Sequence, residues 1–173
     1  MKGRHLILVG LPGVGKSTVG ALVAAELGRP FVDLDAVIVR RMGMPVELIF
    51  GEFGASRFRE LEREAMAEAL LAAPSVLAPG GGWAAQPGNL DASRAEALFV
   101  WLTASAEAAS RRAEQGEVRP LLAGSEGRDR MATLLHERNA FYARADVTVG
   151  NDRDDPAVAV AEIVDWVRRG GFA

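Results

Sequence analysis

Leu6-Ile-Leu-Val9, running without a break into Gly10-Leu-Pro-Gly13-Val-Gly15-Lys16-Ser17, is the stretch that decides the fold. Four apolar residues ending at a glycine suit a short strand buried on both faces. The residues that follow match G-x-x-x-x-G-K-[ST] in full. From Lys16 the spacing becomes helical, with Val19, Leu22, Val23 and Leu27 on one stripe and Gly28 as the expected stop. Glycines in such a turn let the backbone curl around phosphates with its N–H groups pointing inward. The helix N-terminus behind them adds positive potential. Gly13, Val14, Gly15, Lys16, Ser17 and Thr18 are therefore the expected nucleotide-binding residues. Lys16 would reach the β- and γ-phosphates, and the Ser17 hydroxyl would ligate Mg2+. The competing reading is a glycine-rich strand-to-helix turn without a ligand. The flanking strand and helix patterns weigh against it.

Outward from this stretch, Phe31-Val-Asp-Leu34 reads as a second strand, Ser75-Val-Leu-Ala78 as a third and Ala97 to Leu102 as a fourth. Val147-Thr-Val149 is a short fifth. Between them a short helix is expected to start at Pro45, and a longer one carries Phe58, Leu61, Ala65, Met66, Ala69 and Leu70 on one face. Further helices are expected from Ser105 to Gln115, from Met131 to Ala143, and over Ala157 to Val167. Strands alternating with helices imply right-handed crossovers and a parallel sheet between helical layers. The expectation is one α/β domain over residues 1–173, a five-stranded parallel sheet flanked by helices. A helical segment around 36–63 and a mobile loop over 116–127, where Pro120 and Gly124 lie among charges, complete the organisation.

Composition narrows the functional classes. The formal net charge of −3 argues against nucleic acid as the main partner, because phosphate-backbone binders carry a basic excess. A chain without cysteine has no disulfide, no thiolate nucleophile and no cysteine-ligated metal. The start Met1-Lys-Gly-Arg-His5 does not read as a signal peptide, and the uncharged stretch from Ala69 to Leu90 is broken by prolines and glycines, so no membrane span is expected. A cytoplasmic location is the expectation. His5 and His136 show no partner pattern and read as structural or surface residues.

Asp33-Leu-Asp35 closes the second strand. Alternation along a strand would project both carboxylates to one side, beyond the carboxyl end of the sheet where α/β proteins bind ligands. One carboxylate could then assist Mg2+ and the other accept a proton from an attacking hydroxyl. The alternative is a helix cap, since Asp is favoured just before a helix.

The ordered set of motifs resembles the shikimate kinase family over nearly the whole chain. After Lys16-Ser17 and Asp33-x-Asp35 come Phe58-Arg59-x-x-Glu62 and Gly80-Gly81-Gly82, then Arg119-Pro-Leu-Leu122 and Glu137-Arg138-x-x-x-Tyr142. The resemblance implies a P-loop kinase of the nucleoside-monophosphate-kinase-like architecture, with ATP as donor, Mg2+ as cofactor and shikimate or a close analogue as acceptor. It implies that Arg59 and Arg138 hold the substrate carboxylate, a task suited to paired guanidinium hydrogen bonds. Asp35 would bind the substrate hydroxyls and act as base, and Asp33 would help hold Mg2+. Gly80, Gly81 and Gly82 would let the backbone approach the substrate ring. Arg119 would swing in with the 116–127 lid and stabilise the transferring phosphoryl group. Arg111, Arg112 and Arg153 would border the adenine. The resemblance also implies a monomer acting on a small molecule, with 36–63 as its substrate-binding segment.

Taken singly, these residues have plainer readings. Arg59 could form a helix-surface ion pair with Glu62, three positions on and therefore on the same face. Arg138 and Arg119 could be solvated charges, the triple glycine a flexible turn, and Phe50 and Phe58 core residues. Two departures from the family pattern stand out. Trp83 follows the triple glycine where a small residue is usual, and Gly54-Ala55 replaces Gly-Glu. A tryptophan there could narrow the pocket, cover a ligand face or pack under the sheet. It raises an aminoshikimate-like or other polyol acid as alternative acceptor. A nucleotide-binding regulatory module without phosphoryl transfer is a further alternative, as is an adenylate-type nucleotide kinase, which would leave Asp33-x-Asp35 and the triple glycine without a purpose.

Overall fold

The computed structural model describes residues 3–105, 107–109, 112, 124–153 and 155–171. Arg111, Arg119 and residues 116–123 of the expected lid lie outside the described residues. The elements are β1 (His5–Val9), α1 (Lys16–Leu27), β2 (Phe31–Asp33), α2 (Leu34–Met42), α3 (Val46–Leu71), β3 (Val76–Ala78) and α4 (Asn89–Ser93). Then follow β4 (Ala97–Thr103), α5 (Gly124–Tyr142), β5 (Val147–Gly150), α6 (Ala157–Trp166) and a π-helical turn over Val167–Gly171.

The strands form one five-stranded sheet in the order β2-β3-β1-β4-β5, and every neighbouring pair is parallel. β1 lies at its centre and is buried along its whole length, as a continuous apolar run between two helical layers should be. His5 shares that burial and accepts a hydrogen bond from the Ser75 amide through Nδ1 at 3.2 Å, so it is a structural histidine. The register pairs Asp33 with Ala78. The carboxyl end of β2 and the start of the glycine tract therefore emerge side by side, next to the turn that leaves β1.

Several boundaries differ from the sequence expectation, each for a physical reason. Leu22 was expected on the buried stripe of α1 but is 42% exposed; Val19, Gly20, Val23 and Ala24 form the buried face instead. The second strand stops at Asp33, whose side chain accepts from the Ala36 amide at 3.2 Å and caps α2. Asp35 thus sits in the first helical turn, and the strand-alternation argument for it fails. α3 contains both expected helices, joined at Gly54, whose φ of 78° and ψ of 169° break the helical path. A side chain rarely adopts that φ, so glycine is what permits the bend. α5 begins at Gly124, so residues 124–127 are helix and not loop. Gly124 to Arg130 carries no apolar periodicity. Gly127 is buried one turn before Met131, so packing and not local pattern holds this first stretch in the helix.

Candidate active site

The turn between β1 and α1 wraps around its own lysine. Lys16 Nζ donates to the carbonyls of Gly10 and Leu11, each at 2.9 Å, and the side chain is buried. Gly15 caps α1 with a φ of 97°, which leaves the first amide groups of the helix facing the turn. Ser17 and Thr18 are exposed at its mouth. The Ser17 hydroxyl donates to Asp33 Oδ2 at 2.5 Å, so two hard oxygen donors from different elements share one point. That donor set fits Mg2+, which is held by few protein oxygens and completed by phosphate and water. Among the described residues no group of three or more His, Cys, Asp or Glu could hold a metal without such completion.

Asn151 and Arg112 support the turn from the far side. Asn151 is buried and donates through Nδ2 to the Val14 carbonyl at 2.8 Å. Arg112 donates to the carbonyls of Asn151 and Arg153, each at 2.7 Å, and to Val14 at 3.4 Å. The Arg112 guanidinium therefore bridges the phosphate turn to the Asn151–Arg153 turn, while the Arg153 side chain is exposed.

Opposite the phosphate turn lies a cluster built around the glycine tract, where any side chain would collide. A Cβ at Gly80 would lie 2.7 Å from Glu62 Oε1 and 3.0 Å from Asp35 Oδ1. One at Gly81 would lie 2.6 Å from Pro12 in the phosphate turn, and one at Gly82 would lie 2.5 Å from the Arg59 guanidinium. The tract thus packs directly between donor-side and acceptor-side groups. Arg59 pairs with Glu62 and rests over the Phe50 and Phe58 rings, 5.9 and 5.5 Å from their centroids. Arg138, half-buried on α5, lies beside the Tyr142 hydroxyl and near Glu62. Tyr142 is buried, and its hydroxyl donates to the Gly81 carbonyl at 2.5 Å.

The structure brings together most of the expected site residues that it describes: Lys16, Ser17 and Asp33 on one side, and Asp35, Arg59, Arg138 and Gly80 to Gly82 on the other. It also adds Glu62. That side chain is only 1% exposed, and burial pushes its carboxyl up to about 7; the Asp35 charge adds to the rise, while Arg59 and Arg138 oppose it. The surface ion pair expected for Arg59 is therefore a buried one on the acid's side. The signal was present in the sequence: Glu62 falls within the stripe Phe58, Leu61, Ala65, Met66, where an acid is out of place. Asn151 carried no such signal.

Trp83 is 1% exposed and belongs to the hydrophobic core. Its amide donates to Gly80 and its carbonyl accepts from Asn89 Nδ2 at 2.9 Å, so the residue closes the turn after the glycine tract. Of the three readings open for it, packing in the core is the one observed.

A parallel sheet with a phosphate turn after its central strand, faced by a cluster of arginines and carboxylates, defines a P-loop small-molecule kinase. A family model described as shikimate kinase matches residues 12–168. The chain is 40% identical over 164 residues to the shikimate kinase of Moorella thermoacetica, covering 95% of this chain and 94% of that protein. It is also 40% identical over 166 residues to that of Geobacter sulfurreducens, covering 96% and 92%. The solved structure of shikimate kinase from Acinetobacter baumannii in complex with shikimate superposes with a TM-score of 0.88 at 29% identity, covering 96% of this chain and 93% of that one. The chain belongs to the shikimate kinase family.

Proposed function

We propose that the protein transfers the γ-phosphoryl group of ATP to the 3-hydroxyl of shikimate, giving shikimate 3-phosphate and ADP. The observation that carries this reading is the packing of Asp35, Glu62 and Arg59 against Gly80 and Gly82, while Gly81 touches Pro12 of the phosphate turn. A carboxylate-bearing polyol fits such a cluster. Arg59 and Arg138 grip its carboxylate, and Asp35 orients the attacking hydroxyl and accepts its proton. Lys16 exchanges its carbonyl contacts for the β- and γ-phosphates, cradled by the backbone of Gly13, Val14 and Gly15 with Ser17 and Thr18. Ser17 and Asp33 hold Mg2+, which when bound neutralises charge on the phosphate oxygens. Arg119 is assigned to the transferring phosphoryl group, and Arg111, Arg112 and Arg153 to the border of the adenine.

Most of the catalysis is positioning and charge stabilisation, as is general for phosphoryl transfer. The 36–63 segment supplies Arg59 and Glu62, and closure of the lid expected over 116–123 keeps water from competing for ATP. Burial of Trp83 removes the reason to favour a different acceptor. Among the described residues no helix is long and apolar enough to cross a membrane. A monomer in the cytoplasm, acting on a small molecule and not on nucleic acid, completes the reading.

The test is steady-state ADP release with Mg·ATP, with and without shikimate, for wild type and Asp35→Asn. Strong stimulation that collapses in the variant supports both acceptor and base. Stimulation that survives removes Asp35 as the base. No stimulation in a protein that still binds ATP overturns the acceptor.

A further inference from the structure

Among the described residues, the acceptor side of the site holds four facing charges: the guanidinium of Arg59 on α3, that of Arg138 on α5, the carboxylate of Asp35 on α2 and the carboxyl of Glu62 on α3. With Glu62 ionised these four cancel. With Glu62 protonated the cluster carries one net positive charge. Tyr142, the other titratable group beside them among the described residues, has its hydroxyl committed to the Gly81 carbonyl and is held protonated by burial.

Glu62 meets this cluster with its two oxygens in different roles. Oε2 pairs with Arg59. Oε1 is buried, has no hydrogen-bond partner among the described residues, and faces the same side of Gly80 as Asp35 Oδ1: a Cβ added there would meet the two oxygens at 2.7 and 3.0 Å. A second carboxylate so close is a standing repulsion that a proton would relieve. Arg59 meanwhile has one guanidinium and two claimants: Glu62 in the free protein, and the carboxylate of the acceptor in the reading above, on which the present inference rests.

We propose that binding of a carboxylate-bearing acceptor is coupled to uptake of a proton by Glu62. An entering anion makes the ionised form of every nearby acid less favourable, and it competes for the guanidinium that stabilises the Glu62 charge. The proton comes from solvent and is held on the Glu62 carboxyl, facing Asp35. The cluster then carries one net positive charge, which matches the incoming negative charge while Asp35 keeps its own. By reciprocity, whatever favours the proton favours the acceptor. Acceptor affinity therefore falls as pH rises through neutrality, while the affinity of the phosphate turn for nucleotide, which makes no contact with Glu62 among the described residues, does not follow the same group.

The experiment is titration calorimetry of the intact protein with shikimate near neutral pH, in buffers of different ionisation enthalpy. The expected result is an apparent enthalpy that depends linearly on the buffer's, with a slope on the order of half a proton taken up per shikimate bound, and a Kd that rises by up to about tenfold per pH unit at most. In Glu62→Gln the slope falls to zero and Kd becomes flat over the same range. An infrared difference spectrum of wild type, showing a protonated carboxyl band appear with shikimate, checks the same event without a variant. Binding with no buffer dependence, or a slope unchanged in Glu62→Gln, overturns the proposal while leaving shikimate as the acceptor. Absence of binding in a protein that still binds ATP overturns the acceptor reading and this proposal with it.

Discussion

The hydroxyl of Tyr142 donates to the carbonyl of Gly81 at 2.5 Å, joining the last turn of α5 to the glycine tract across 61 positions of sequence. Gly81 in turn presses on Pro12 of the phosphate turn. The helix that carries Arg138 is thus tied through one hydrogen bond to the backbone that separates donor and acceptor groups.

Tyr142→Phe removes that donor and leaves a buried carbonyl unsatisfied. The expected loss of stability is about 1–3 kcal/mol, seen in urea denaturation. Because the glycine tract is held less firmly, KM for shikimate should rise more than KM for ATP. Equal changes in both would show that the bond supports only the fold.

Gly82→Ala places a methyl where the Arg59 guanidinium lies, and a side-chain terminus yields more readily than backbone. The protein should fold normally but hold Arg59 out of place. We expect KM for shikimate to rise by about tenfold or more, the scale of one lost charge-assisted hydrogen bond, with ATP affinity unchanged. Steady-state kinetics with both substrates varied checks this.

Asp33 caps α2 and, in the proposed reading, helps hold Mg2+; one substitution separates the two. Asn caps a helix about as well as Asp, so Asp33→Asn should leave the melting temperature nearly unchanged. It removes the charge beside Ser17, and the Mg2+ concentration needed for half-maximal activity should rise several-fold. Ser17→Ala should raise it as well. A metal requirement unmoved in both variants would remove the pair as its ligands.

Glu62 destabilises the folded chain at alkaline pH. Its folded pKa of about 7 lies above the ordinary value of 4.5, so between these the folded state holds a proton that the unfolded state has released. Stability contributed by this group is full below the lower value and falls as pH rises to the upper one. Glu62→Gln should therefore be more stable than wild type at pH 8, by at most roughly 3 kcal/mol, and the gap should close toward pH 5. Denaturant midpoints across pH measure it, and a pH-independent difference would contradict the shifted carboxyl.

Trp83→Ala should cost about 3–5 kcal/mol, as expected for emptying a core site of that size. Trp83→Phe, which keeps most of the volume, should retain shikimate turnover within a few-fold and gain no new acceptor. A switch in acceptor preference would show that the indole reaches the pocket.

Much of the architecture was legible because it is local. A buried parallel strand is a run of apolar residues, an amphipathic helix is a period, and Gly28 and Gly43 end helices by conformations that glycine adopts. Where such signals were weak, the reading slipped. The polar opening of α5 looked like loop, and Asp33-Leu-Asp35 left strand and helix cap both open, when Asp33 ends β2 and caps α2 while Asp35 sits within the helix.

The linear chain was sufficient for the phosphate turn, since its chemistry belongs to consecutive backbone amides and two adjacent side chains. The order of the remaining motifs was likewise sufficient for the family. The state of the acceptor site required the fold. In sequence Glu62 is only an acid out of place on an apolar stripe; which groups face it is decided in space, where Gly80, Asp35 and Arg138 close around it from other elements. Trp83 adjoins the glycine tract in sequence yet turns into the core. Desolvation and Coulomb coupling depend on neighbours in space, and those neighbours come from residues far apart along the chain.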